Sequence, residues 1–233
     1  LAVTKDGALI LLHDDSLART TDVEARFPGR PQGPFSAYTL EEIRSLDAGS
    51  WFAAKDPHGE IAAGAVSPTE LASFRGEKVP TLEEALRFTQ ESGWRINLEL
   101  KRLPAPHQDF PVPERVLALI AALAIDPARI VLSSIRHDWL RETRRRRPDI
   151  AVQALIGLMP DDPMDYGGLE FDTYNVRWTR TTEEEVRGLT ARGRAVNLYT
   201  VNEPGDMRRF IAAGAAGLIT DFPQRLAALR EAA

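Results

Sequence analysis

The sequence contains no cysteine. That excludes thiol catalysis, a disulfide framework and Cys-ligated zinc or iron–sulfur sites, although it identifies no compartment. Long apolar runs are missing as well. The longest, Val116 to Ile125 (VLALIAALAI), is about half the ~20 residues that a membrane span needs, so no transmembrane segment is expected. There is no basic excess: 29 Lys and Arg against 34 Asp and Glu leave a net charge of −5 over 233 residues. The two signs are mixed along the chain, and no nucleic-acid surface is predicted. An anionic small molecule stays compatible as a substrate, provided a metal or local Lys and Arg groups reverse the local sign. No G-x-G-x-x-G or Walker A loop follows any strand-like run, which weakens a nucleotide-binding open sheet. No G-x-S-x-G surrounds Ser133-Ser134, so a serine nucleophile is not expected there. No signal peptide is visible, which leans the reading toward the cytoplasm. The initiator Met is also absent, and Leu1-Ala2-Val3 runs straight into a turn; residues upstream are therefore expected to be missing.

What is present is an ordinary globular mix, 43% hydrophobic and 27% charged, which rules out a disordered or collagen-like chain. The clearest pattern is alternation. Short β-branched runs occur at Ala8–His13, Arg95–Lys101, Arg129–Ile135, Ala151–Ile156, Phe171–Val176, Ala195–Val201 and Gly217–Asp221. Between them lie helix-spaced segments at Leu82–Thr89, Glu114–Leu123, Trp139–Arg147, Glu183–Arg192 and Gly205–Ala213. Thr81-x-x-Glu84, Thr182-x-x-Glu185 and Thr39-x-x-Glu42 read as capping boxes, and Gly193 and Gly214 stand where helices should stop. Strand–helix alternation predicts βαβ units and a parallel sheet, either a closed (β/α)8 barrel or an open doubly wound sheet. Lys5-Asp6-Gly7 signals a tight turn, so the Ala8–His13 run is expected in a β-hairpin. Residues 15–80 break the rhythm and carry only weak helices near Thr39–Leu46 and Ser67–Phe74. A stretch of that kind reads as a functional insertion over one end of the sheet.

Polar groups at the C-terminal ends of parallel strands come first as candidates, because active sites of α/β barrels collect there. Asn97, Glu99 and Lys101 alternate along one run and share a face. A buried parallel strand is normally apolar on both faces. Either Glu99 binds a divalent cation and Lys101 a phosphate or carboxylate oxygen, or the two form an ion pair with Asn97 completing hydrogen bonds. His13 ends its run and is either a general acid or base or a cap on a backbone carbonyl. Its neighbour Asp14 should point to the opposite face of a strand. Asn197, Tyr199 and Val201 share one face of their run; Leu198, Thr200 and Asn202 share the other. His58, His107 and His137 read as surface histidines. Arg144–Arg147 read as a solvated helix end that complements the helix dipole.

Taken together, these pieces resemble a known family. Thr4-Lys5-Asp6-Gly7, Leu11-Leu12-His13-Asp14 and Leu17-x-Arg19-Thr20-Thr21 are similar to the signature of the glycerophosphodiester phosphodiesterases. Leu46-Asp47-Ala48-Gly49-Ser50-Trp51-Phe52, Val79-Pro80-Thr81-Leu82-Glu83-Glu84, Asn97-Leu98-Glu99-Leu100-Lys101, Tyr199-Thr200-Val201-Asn202 and Gly217-Leu218-Ile219-Thr220-Asp221-Phe222-Pro223 follow in order. The resemblance implies a TIM (β/α)8 barrel in one domain over residues 1–233, with 15–80 as a cap. It implies cleavage of a small phosphodiester substrate to glycerol 3-phosphate and an alcohol at a divalent cation, Mg2+ or Ca2+. The runs from Arg95 onward would be barrel strands three to eight, the first two lying upstream of Leu1. His13 would be catalytic, Glu99 a metal ligand and Lys101 a phosphate ligand. Tyr199 would pack against glycerol and Asn202 would order the loop after strand seven, with Asp14 and Asn97 in support. The sequence departs from the family in lacking its His-Arg-Gly and Glu-x-Asp segments, which supply a second His, an Arg and two metal carboxylates. Tyr199 also replaces a common Trp, and residues 53–78 are longer than usual. A phospholipase-like enzyme acting on lysophospholipids and a non-catalytic binding barrel are the alternative readings. Oligomeric state is not legible.

Overall fold

The computed structural model describes residues 1–30, 33–159, 161–162 and 164–231. The chain divides into two units, Leu1–Trp94 with Lys101–Ile125 and Arg95–Leu100 with Asp126–Ala233.

The second unit is built on a six-stranded sheet: β3 (Ile96–Glu99), β4 (Ile130–Ser134), β5 (Ala151–Ile156), β6 (Thr173–Arg177), β7 (Ala195–Tyr199) and β8 (Gly217–Leu218). The strands lie side by side in chain order, and every neighbouring pair is parallel. Parallel neighbours need a crossover. Here helices α7 (His137–Arg146), α8 (Glu183–Ala191) and α9 (Pro204–Ala212) supply crossovers, and α10 (Pro223–Glu231) follows the last strand. The alternation read from the sequence is thus an α/β fold. Strand β5 has the bounds of its run; the others are shorter, the last reduced to two residues because the chain beyond Leu218 turns into a loop closed by Asn202.

Side chains alternate along a strand, and register divides the sheet into two unlike faces. One face carries Leu98, Leu132, Ala154, Ile156, Tyr174, Val176, Val196 and Leu198, all buried. It packs against Leu140 of α7, Val186 and Leu189 of α8, and Met207 and Phe210 of α9. Full burial of a side chain such as Leu or Phe contributes roughly 1.5–3 kcal/mol, so this layer carries the unit. Helix α8 starts where a hydroxyl directs. Thr182 accepts the Glu185 N–H while Glu185 reaches back to the Thr182 N–H.

The opposite face holds Glu99, Ser133, Gln153, Asn175, Arg177, Asn197 and Tyr199, matched across the strands by register. In its middle the Asn197 amide donates to Asn175 Oδ1 at 2.9 Å and to Gln153 Oε1 at 3.4 Å. A flat sheet would set β5 and β7 about 10 Å apart, two steps of ~4.8 Å. Yet Tyr199 of β7 reaches across β6 to the Ile156 carbonyl of β5 at 2.8 Å, and Asn197 of β7 lies 3.4 Å from Gln153 of β5. The sheet is curled toward its polar face.

The first unit opens with the expected hairpin, β1 (Ala2–Val3) and β2 (Leu9–Ile10). Gly7 takes φ 84° at the turn, a conformation that costs glycine little. The hairpin is shorter than the Ala8–His13 run because Leu11 N–H bonds Pro80 O instead of continuing the ladder. His13 consequently lies in a bend and not at a strand end. Residues 15–80 are more helical than their composition suggested. They form α1 (Val23–Arg26), α2 (Leu40–Ser45), α3 (Ser50–Lys55) and α4 (Pro68–Phe74), with a 3-10 turn at Phe35–Ala37; residues 31 and 32 lie outside the described part. Thr39 and Ser67 cap α2 and α4 with full capping boxes. Helices α5 (Leu82–Ser92) and α6 (Val112–Ala122) complete the unit. Its core gathers Val3, Ile10, Leu17, Ile43, Leu46, Leu82, Leu86, Val116 and Ile120, all at most 1% exposed. Among the described residues no helix is long and apolar enough to cross a membrane.

Gly217 is tied to the polar face. A Cβ there would sit 2.6 Å from Asn197 Oδ1, and Asn197 is already held by its two amide partners. Gly217→Ala is expected to cost about 1–3 kcal/mol of stability by displacing that amide. Urea denaturation measures it, and an unshifted midpoint would show that the Asn197 side chain yields freely.

Candidate active site

The C-terminal ends of β3, β6 and β7 bring the polar face to its most functional composition. Glu99 is the last residue of β3 and is partly buried; Asn97, two residues earlier on the same face, is exposed. Tyr199 ends β7 and donates its hydroxyl to Ile156 O at 2.8 Å. Burial pushes the Tyr199 phenol up to about 12, with Glu99 and Asp162 adding to the rise and Arg177 and Arg180 opposing it. The ring therefore stays neutral and keeps its donor through the physiological range. Arg177 and Arg180, at and after the end of β6, hold the loop after β5: Arg177 donates to Leu158 O at 2.6 Å, and Arg180 donates to Met159 O and Asp162 O. Asn202 lies beyond β7 in a loop. It donates to Asp221 Oδ2 at 2.8 Å and accepts from Thr220 Oγ1 and the Asp221 N–H. It thus clamps the loop after β7 to the loop after β8.

In the first unit a second polar constellation surrounds His13. The bend turns neighbouring side chains toward each other, so His13 Nδ1 lies 2.8 Å from Asp14 Oδ1. This departs from the sequence expectation, which assumed strand geometry with the two on opposite faces. The Arg19 guanidinium grips both oxygens of Asp14, with Nη2 at 2.9 Å from Oδ1 and Nε on Oδ2. Arg19 beside it holds the Asp14 carboxyl down at about 2, with His13 adding to the effect. Arg19 in turn lies over the Trp51 ring, 5.6 Å from its centroid. Trp51 is placed by Asp47, whose carboxylate accepts from the Gly49, Ser50 and Gly76 N–H groups and the Ser50 hydroxyl. Those bonds start α3 and hold the Asp47 carboxyl well below the usual range, the Ser50 hydroxyl most of all. Lys101 lies past the end of β3, and its ammonium donates to the His13 carbonyl at 2.9 Å.

Two of the other histidines differ from expectation. His107 Nε2 lies 2.9 Å from Thr4 O, and His137 Nε2 lies 3.2 Å from Leu155 O with its ring edge-on to Phe171. Both are partly buried packing groups; His58 is exposed as expected. Sequence reading assigned no role to Arg19, Asp47 or Arg177. The fixed spacing of His13-Asp14 and Arg19 was the available signal for the first, and the Asp-x-Gly-Ser turn for the second. Among the described residues no group of three or more His, Asp or Glu side chains could hold a metal ion. Glu99 alone offers two oxygens where Ca2+ takes six to eight and Mg2+ six. These residues do not by themselves fit a divalent cation.

The sequence profile of the glycerophosphoryl diester phosphodiesterase family matches residues 1–225. The chain belongs to that family. It is 28% identical over 226 residues to a glycerophosphodiester phosphodiesterase from Caldanaerobacter subterraneus subsp. tengcongensis, covering 96% of this chain and 81% of that one. A Bacillus subtilis glycerophosphodiester phosphodiesterase is 29% identical, with 96% and 72% covered. In structure, the chain superposes on an Oleispira antarctica phosphodiesterase solved with its product sn-glycerol-3-phosphate, at a TM-score of 0.74 and 21% identity, covering 99% of this chain and 82% of that one. That likeness shows the fold. Family membership makes the chain a phosphoric diester hydrolase.

The Asp47 and Asp14 carboxyls are both held below their ordinary values. A depressed carboxyl stabilises the fold above its unfolded pKa, near 3.9, and that contribution is lost as pH falls through the folded value. Thermal midpoints are expected to fall between pH 4 and 2, and more gently in Asp47→Asn. Parallel pH profiles for the two proteins would exclude Asp47 as a source of acid sensitivity.

Proposed function

We propose that this chain hydrolyses glycerophosphodiesters to glycerol 3-phosphate and an alcohol. The observation that carries the reading is the bond from Lys101 Nζ to the His13 carbonyl. It ties the cation suited to a phosphoryl oxygen to the imidazole suited to proton transfer. A phosphodiester is negatively charged and its alkoxide leaving group is strongly basic. Cleavage therefore needs charge neutralisation at phosphorus and a proton on the departing oxygen. In this reading Lys101 meets a phosphoryl oxygen as a compact point charge, and His13 protonates the leaving oxygen. Tyr199 packs against the glycerol moiety, Asn202 keeps the adjoining loop in register, Asp14 supports His13 and Asn97 supports Glu99 on their shared face. The six curled strands are read as consecutive strands of a (β/α)8 barrel, and the whole of 1–233 as one phosphodiesterase domain with 15–80 as its cap. The family supports this in its name and extent.

A divalent cation, Mg2+ or Ca2+, would supply further charge neutralisation, with Glu99 as the ligand this chain contributes. Since Glu99 alone is insufficient, proton transfer and phosphate binding are assigned to the chain's own side chains.

With glycerophosphocholine as substrate, His13→Ala is expected to lower kcat by a factor on the order of 10²–10⁴; near-normal turnover removes His13 from the chemistry. Parallel assays on lysophosphatidylcholine separate the glycerophosphodiesterase from a lysophospholipid enzyme. Glu99→Gln is expected to flatten the response of activity to added Mg2+ or Ca2+. Superimposable titration curves would take Glu99 out of cation binding.

A further inference from the structure

His13 has an exposed side chain, 77% accessible, on a bend with no strand to fix it. Packing does not hold the imidazole; only polar contacts can choose its direction and its protonated nitrogen. Asp14 Oδ1 receives two donors, His13 Nδ1 at 2.8 Å and Arg19 Nη2 at 2.9 Å, while Oδ2 receives Arg19 Nε. The planar fork of arginine makes this a two-point grip that fixes the carboxylate plane. An Asp side chain five residues from its partner could otherwise rotate about χ1 and χ2. Behind Arg19 lies the Trp51 ring, itself edge-on to Phe52, which is edge-on to Phe74. Asp47 fastens the start of the helix that bears Trp51. The grip therefore rests on a built platform and not on two mobile surface side chains.

We propose that Arg19 is a positioning residue that acts through Asp14 to hold His13 in its Nδ1–H tautomer, leaving Nε2 free to carry the proton delivered to the leaving oxygen. This deepens the hydrolase reading and rests on it for the identity of the reaction; the tautomer itself is independent of activity. The reasoning is geometric. An ionised carboxylate accepts and cannot donate, so the nitrogen that faces it must bear hydrogen. In the neutral ring that leaves Nε2 as the unprotonated nitrogen, and on protonation Nε2 gains the transferable proton.

The test uses the whole chain labelled with 15N at histidine. The spectrum holds four histidines, and the signal missing in His13→Ala assigns His13. In the unsubstituted protein at pH above its titration, the nitrogen shifts are expected to report the Nδ1–H form. In Arg19→Gln, and in Asp14→Asn, the ring is expected to become a mixture of tautomers. On glycerophosphocholine, Arg19→Gln is expected to lower kcat on the order of 10- to 100-fold, the scale of a misplaced catalytic group, with KM nearly unchanged. Arg19→Lys keeps the charge without the fork: the ring is expected to lose its single tautomer and kcat to fall. An Nε2–H tautomer in the unsubstituted protein, or an unchanged tautomer in Arg19→Gln, overturns the proposal. If the protein proves inactive on every diester, the hydrolase reading fails while the nitrogen shifts still decide the role of Arg19.

Discussion

Everything in the second unit depends on a two-residue period. In a strand, successive side chains leave opposite faces, and register carries that alternation from strand to strand. Here it sorts Leu98, Leu132, Val176, Val196 and Leu198 onto the face that α7, α8 and α9 cover. The same sorting sends Glu99, Gln153, Asn175, Arg177, Asn197 and Tyr199 to the other. A slip of one residue in β3 or β6 would turn Glu99 or Arg177 into the core and core side chains out of it. Stability and site are thus the two sides of one constraint, and the apolar side holds the polar side in place.

The first unit solves a different problem. His13 lies on an exposed bend, and nothing apolar orients it. Exposed ion pairs contribute little to stability, about 0–1 kcal/mol, so the pairing of Arg19 with Asp14 matters for direction more than for energy. The series from Asp47 through Trp51, Arg19 and Asp14 to His13 converts one well-satisfied carboxylate into a fixed imidazole. Lys101 adds a tie from the chain segment that follows β3. Each member is polar or aromatic, and each is fixed by the one before it.

The polar face shows why family motifs and chemistry coincide in some places and part in others. Glu99 and Tyr199 sit where strands end, and there a side chain can reach solvent and ligand while its backbone stays in the sheet. Asn202 belongs to the same motif as Tyr199, yet its amide is spent on Asp221 and Thr220. It joins the loop after β7 to the loop after β8. Gln153, Asn175 and Asn197 belong to no motif and form the amide ladder beneath Tyr199.

Local chemistry determined much of this protein from the sequence. The capping boxes at Thr39, Thr81 and Thr182, the turn at Lys5-Asp6-Gly7, and the strand–helix alternation were all legible because each rests on contacts within a few residues. The motif pieces that carry the family were legible for the same reason. Only the tertiary structure decided that Ala8–His13 stops at Ile10, because a carbonyl from Pro80 takes the next donor. It alone decided that His13 and Asp14 face each other, that Arg19 closes on them, and that the sheet curls enough for Tyr199 of β7 to reach the Ile156 carbonyl of β5. The bend and the curl rest on bonds between residues far apart in the chain, such as Lys101 to the His13 carbonyl and Tyr199 to the Ile156 carbonyl; even close neighbours such as His13, Asp14 and Arg19 meet only because a bend replaces strand geometry there.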